Sequence, residues 1–183
     1  TGTVGKLGCI SFNGNKIITS GGGGMIITDD EKIAEKARYL TTQAKDDPIR
    51  YEHHEIGYNF RLTNIQAALG VAQLEQLPLF LRKKKSIFNG YNKAIRGIEG
   101  VDIANVPSYS NNNHWLNVLN INKRKFAEDR DTLMKRLKTL KIETRPVWGL
   151  CHLQKPYSKC QTYNIDRAYS LLNYSLCLPS SFS

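Results

Sequence analysis

The sequence predicts a mixed α/β chain, and three observations carry that expectation. Two short apolar runs near the start flank a glycine-rich loop and lead into an amphipathic helical pattern. A long helical pattern then runs to about Ile95 with Pro78 inside it. Beyond Gly97, segments with strand and helix periods alternate, which is the order of a small mixed domain.

Each element has its own signal. Gly8 to Phe12 (GCISF) suits a buried strand, and Met25 to Thr28 (MIIT) suits a second. Thr28-Asp29-Asp30-Glu31 spells a T-x-x-E capping box, opening a helix with Ile33, Ala34, Ala37 and Leu40 on one face. The polar stretch KDDPIRYEHHE follows, where Pro48 forbids continuous helix, and His53 and His54 read as loop residues. Thr63 and Gln66 give a second capping signal, with Ile65, Ala68, Leu69 and Ala72 along one face. Pro78 is expected to break or kink that helix near Leu77, after which Ile87, Tyr91, Ala94 and Ile95 form a new apolar stripe.

Val101 to Ala104 and the alternating Trp115 to Ile121 (WLNVLNI) read as strands. Arg130 to Leu140 is an amphipathic helix through Leu133, Met134, Leu137 and Leu140. Ile142 to Trp148 reads as a further strand and Asp166 to Tyr174 as a short final helix.

Composition bounds the function. With 183 residues, 40% hydrophobic and 23% charged, the chain can bury a core and is not of the disordered class. No apolar run is long enough to span a bilayer and no signal peptide is visible, so no membrane partner and a cytoplasmic location are expected. The net charge of +10 favours an anionic partner, whether nucleic acid, membrane surface or a phosphorylated small molecule. Its densest run, Arg82 to Ser86 (RKKKS), falls in a helical pattern and reads as a solvated helix face. Without an RNA-recognition signature or zinc-finger spacing, no nucleic acid is expected. Cys9, Cys151, Cys160 and Cys177 form no CxxC pair and have no histidine at finger spacing, so they read as reduced thiols and no metal is expected. Cys151 beside His152 has the parts of a nucleophile and base, but neighbours in sequence seldom orient that way and no third group is evident.

The chemistry centres on Lys16 in SFNGNKIITSGGGG, Ser11 to Gly24. A Walker phosphate loop needs its lysine after the glycines and at the start of a helix; here lysine precedes them and Ile17, Ile18 and Thr19 follow it. Nor does GGGG match the dinucleotide fingerprint. Two readings stay open on spacing alone. Lys16 is a structural lysine of a hairpin, or it is an amine that forms an imine with a carbonyl cofactor, of which pyridoxal phosphate is the common one. Ser11, five residues upstream, would then offer a hydroxyl to the phosphate.

SFNGNKIITSGGGG resembles the Schiff-base segment of sugar aminotransferases of the DegT/DnrJ/EryC1/StrS family, roughly S-F-x-x-x-K-x-x-T-x-G-[EG]-G-G. GYNFRLTNIQAALG is similar to that family's G-Y-N-x-R-[ML]-[ST]-[DN]-x-Q-A-A-[LI]-G, and IETRPVWGLCHLQKPY to its T-R-P-[LV]-W-x-x-x-H-x-Q-x-x-Y. The three stand in family order across essentially the whole chain. SFNGNK and GGGG look most like the branch acting on UDP-linked amino sugars of bacillosamine or legionaminic acid synthesis, and Gly22, where many members carry Glu, fits that branch.

The resemblance implies the C-terminal part of a fold type I, aspartate aminotransferase-like pyridoxal phosphate enzyme. Residues 1–77 would be the end of the large cofactor-binding domain and the start of a linking helix, and 78–183 the rest of that helix and a small α/β domain. The implied reaction moves an amino group from glutamate to C4 of a 4-keto-6-deoxy nucleotide sugar, with UDP as the nucleotide. Lys16 would bear the cofactor and shuttle the proton, and Ser11 would bind its phosphate. Asn59 would reach the phosphate of a neighbouring subunit, which implies a homodimer with shared sites. Arg61 would add positive charge near that phosphate or the substrate, with a solvated arginine as the competing reading. Trp148 and His152 would approach the nucleotide sugar, against core packing for the one and a structurally satisfied histidine for the other; Tyr58 and Arg145 are weaker candidates. The family's N-terminal motifs, including the Asp that pairs with the cofactor ring nitrogen, are not among these residues. The chain by itself is therefore expected to be a poor enzyme, or a fragment of a longer one. The alternative is a non-catalytic binding module of the same fold that uses its basic surface for an anionic partner.

Overall fold

A computed structural model describes residues 2–182, which fall into two compact units, Thr1–Phe80 and Leu81–Ser183. In the first unit, β1 (Gly8–Ser11) and β2 (Gly24–Ile27) pair antiparallel, with Gly8 opposite Ile27 and Ser11 opposite Gly24. The glycine at 24 is required by that pairing, because a Cβ there would sit 2.6 Å from the Ile10 carbonyl oxygen.

Helix α1 (Glu31–Thr41) starts two residues later than the T-x-x-E pattern implies. Its cap is Asp30, whose carboxylate accepts from the Ile33 amide at 3.2 Å. The Thr28 hydroxyl is already committed, donating to the Lys6 carbonyl at 2.6 Å and accepting from the Asp30 amide at 3.1 Å. Past α1 the chain turns through Gln43 and Ala44, both at positive φ, and Ala44 is fully buried. Gly57 passes so close that a Cβ on it would lie 2.2 Å from the Gln43 carbonyl carbon, which gives the glycine of GYN a packing reason. Residues 58–60 then pair with the end of α1: the Tyr58 amide donates to Leu40 and the Phe60 amide to Thr41.

Helix α2 (Asn64–Glu75) has the predicted capping box complete, Thr63 accepting from the Gln66 amide and the Gln66 side chain from the Thr63 amide. It ends at Gln76, and α3 (Leu77–Ile95) carries Pro78 in its first turn, where a missing amide costs nothing. The division between the units falls inside α3. Among the described residues of the first unit, Ala44 is the buried apolar residue, while Ile10, Met25, Ile26, Ile65 and Leu69 stay substantially exposed.

The second unit is a four-stranded antiparallel sheet in the order β3-β4-β6-β5, formed by Val101–Ile103, Asn117–Ile121, Ser175–Leu178 and Arg145–Pro146. Ile103, Leu119, Ile121 and Leu176 make its core with Leu133 of α4 (Arg130–Thr139), and Phe88, Tyr91 and Ile95 of α3 pack against them. β5 is two residues, not the longer strand expected over 142–148. β6 follows α5 (Asp166–Tyr174) without a loop.

The basic run in α3 is not uniformly solvated. Lys84 is buried, its Nζ donating to the Ser180 carbonyl at 2.5 Å and the Trp115 carbonyl at 3.3 Å. Burial pushes its ammonium below the ordinary lysine range. Tyr91 donates to the Pro179 carbonyl at 2.8 Å, and the Ser180 hydroxyl accepts from the Asn117 side chain at 2.9 Å. The C-terminal segment is thus bound to α3 and β4 by polar contacts. None of the helices is long and apolar enough to cross a membrane among the described residues.

Candidate functional site

Lys16 sits in a loop, not in a strand. Residues 12–23 leave β1 and return to β2, and the loop's ends are tied by the Phe12 amide donating to Gly23 at 3.0 Å. A second tie closes it further in: the Phe12 carbonyl accepts from the Ser20 amide at 3.1 Å and the Thr19 hydroxyl at 3.0 Å. Gly21 and Gly23 lie at φ of 80° and 83°, the left-handed region that side-chain-bearing residues avoid, so the glycines serve the return of the chain. At the other end, the Lys16 amide donates to the Asn13 carbonyl at 3.0 Å, a tight turn. The Asn13 amide in turn donates to the Ser11 hydroxyl at 3.3 Å. Asn13 therefore links the exposed Ser11 hydroxyl to the half-buried Lys16.

Arg61 lies on the stretch between Asn59 and α2 and lines an open cleft with Gly23, Gly24, Arg38 and Gln66. Lys16, Ser11 and Asn59 do not line that cleft. Asn59 is exposed and fixed through its backbone, bridged antiparallel to Thr42. Tyr58 stacks on Phe60 with ring centroids 5.0 Å apart.

In the polar loop of the same unit, Asp46 gathers several hydrogen bonds. Its carboxylate accepts from the His54 amide at 2.6 Å and from the Tyr39 hydroxyl at 3.0 Å, and these hold its pKa below the ordinary carboxylate value, the His54 amide contributing most. His53 Nδ1 lies 2.7 Å from the Gln43 carbonyl. Among the described residues no group of three His, Cys, Asp or Glu could hold a metal ion.

The second unit holds the remaining candidates. Trp148 is 66% exposed, so it is not a core residue, and its ring lies 5.8 Å from that of Trp115. His152, in a 3₁₀ turn over Cys151–Leu153, is half-buried, and its Nε2 lies 2.9 Å from the Tyr169 hydroxyl. Its partner is thus a phenol seventeen residues away and not the adjacent Cys151 thiol. Arg145 is exposed on β5. Trp115 and Tyr169 are the residues that sequence reasoning did not single out. The alternation of WLNVLNI marked Trp115 only as part of a half-exposed strand, and nothing in the sequence pairs Tyr169 with His152.

The DegT/DnrJ/EryC1/StrS aminotransferase family matches residues 1–183. A Bacillus subtilis (strain 168) protein named "Putative pyridoxal phosphate-dependent aminotransferase EpsN" is 39% identical over 98% of this chain and 47% of its own length. GDP-perosamine synthase of Caulobacter vibrioides is 34% identical over 98% of this chain and 48% of its own. Among solved structures, DesI, determined in the presence of its TDP-sugar product, superposes with a TM-score of 0.85 at 25% identity, over 97% of this chain and 45% of that one. The chain spans about half the length of the relatives it matches. With the family matched over its full 183 residues, the chain belongs to the DegT/DnrJ/EryC1/StrS aminotransferase family.

Proposed function

We propose that the whole protein is a pyridoxal phosphate-dependent aminotransferase that moves an amino group from glutamate to C4 of a 4-keto-6-deoxy nucleotide sugar, with UDP as the nucleotide. The observation that supports this reading is the short segment 11–16, in which Asn13 bridges the Ser11 hydroxyl at the end of β1 to the turn that carries the Lys16 amine. That donor set fits the cofactor: an amine for its carbonyl and a hydroxyl for its phosphate. When bound, pyridoxal phosphate supplies the carbonyl that condenses with amines and a ring that takes up the electron pair released at the substrate carbon.

The chain's own residues do the rest. Lys16 Nζ would hold the cofactor at rest and, once released, would carry the proton away from the glutamate carbon and deliver one to C4 of the sugar. Ser11 donates its O–H to the phosphate. Asn59 serves the phosphate of a second copy, so the active unit is a homodimer with shared sites, and Arg61 adds positive charge for an anionic group. Trp148 offers an exposed aromatic face and His152 a ring nitrogen to the nucleotide sugar. The relatives named for GDP- and TDP-linked sugars support the substrate class.

The test supplies the whole protein with ¹⁵N-glutamate and a UDP-linked 4-keto-6-deoxy sugar, and follows the label by mass spectrometry. The expected product is a ¹⁵N-labelled 4-amino sugar, absent with Lys16→Arg. Label that never reaches the sugar, or transfer that persists in the variant, contradicts the proposal; transfer only to a GDP- or TDP-linked sugar corrects the nucleotide.

A further inference from the structure

His152 is carried by a turn whose flanking residues, Cys151 and Leu153, are exposed, so the backbone around it gives the imidazole little support. Tyr169 supplies that support from a much firmer element. Its amide is bonded to the Ile165 carbonyl, and α5 is bound to α4 where Arg130 donates to the Leu172 carbonyl. Directly after α5, β6 enters the sheet between β4 and β5, with Leu176 fully buried. The phenol meets the imidazole twice: its hydroxyl lies 2.9 Å from Nε2, and the rings meet edge-on at 71° with centroids 5.4 Å apart. Two contacts of different kinds fix both the position and the rotation of the ring.

We infer that Tyr169 is the positioning residue of His152, and that it sets which imidazole nitrogen faces the nucleotide-sugar ligand. The inference rests on the reading of His152 as a ligand contact given above. A phenol is a better donor than a neutral imidazole, so the Tyr169 O–H donates to Nε2. The imidazole proton then resides on Nδ1, which becomes a donor for a hydroxyl or phosphate oxygen of the ligand. Without the phenol, the ring is free to rotate and to revert to the Nε2–H form that free histidine favours.

The experiment uses the full chain with ¹⁵N-labelled histidine, and UDP as the probe. Long-range ¹⁵N–¹H spectra are expected to show His152 protonated on Nδ1, and Tyr169→Phe, which keeps the ring edge, is expected to move the proton toward Nε2. In UDP titrations, Tyr169→Phe is expected to weaken binding about threefold to tenfold, the scale of one hydrogen bond. In a His152→Ala background the same change is expected to cost nothing further. A tautomer that ignores Tyr169→Phe, or an equal loss of affinity in both backgrounds, overturns the inference while leaving His152 as a ligand contact. UDP binding that is unaffected by His152→Ala, or absent in the wild-type chain, overturns the reading of His152 and the inference with it.

Discussion

Lys84 shows how much one residue can depart from its sequence neighbourhood. Arg82, Lys83, Lys85 and Ser86 share its run, yet Lys84 alone of the five is buried, with two carbonyls on its ammonium. The burial that pushes its pKa down means the folded state binds its proton less tightly than the unfolded chain does. Stability therefore gains from this group as pH rises from the folded pKa toward the ordinary 10.5. Lys84→Met withdraws the ammonium that donates to both the Ser180 and Trp115 carbonyls from α3. The expected loss is roughly 1–3 kcal/mol in urea unfolding near neutral pH, since buried acceptors left without a donor cost about that much. An unchanged midpoint would mean that water replaces the ammonium at no cost.

Caps decide the elements. Asp129 begins α4 by accepting from the Thr132 amide at 2.9 Å, and that bond, with the Thr132 hydroxyl and Lys123 behind it, lowers its pKa to about 2. Because the folded value lies below the ordinary 3.8, the cap's contribution is complete above about pH 4 and disappears as pH falls through about 2. The gap in denaturation midpoint between wild type and Asp129→Ala is therefore expected to be constant from neutral pH to about 4, then to close on further acidification. A gap that is independent of pH would contradict the assignment.

Elements were legible in the sequence where one local signal stood uncontested. Thr63 with Gln66 gave α2, and Pro78 gave the break before α3. The start of α1 was misplaced because Thr28 and Asp30 both suit a cap, and the Thr28 hydroxyl turned out to be engaged with Lys6. β6 was not legible at all: SLCL continues the apolar pattern of α5, and only pairing with Asn117–Asn120 makes it a strand. The same holds for the site. Lys16, Ser11, Trp148 and His152 announce themselves through short motifs, whereas Trp115 and Tyr169 become partners only through long-range folding.

At the scale of the molecule, the chain divides its chemistry between its two units. The first carries Lys16, Ser11 and Arg61, on a loop and strands with little buried apolar surface among its described residues. The second carries Trp148 and His152 on a sheet whose core is well buried. The net charge of +10 gives an anionic partner a favourable field.

The central claim is that Lys16, and no other of the chain's lysines, is the cofactor-bearing amine. Incubation of the protein with pyridoxal phosphate, borohydride reduction and peptide mass analysis address it directly. The account predicts a pyridoxyl mass on the peptide containing Lys16 and its loss in Lys16→Arg. A pyridoxyl mass carried by another lysine in its place, or by none, would contradict it.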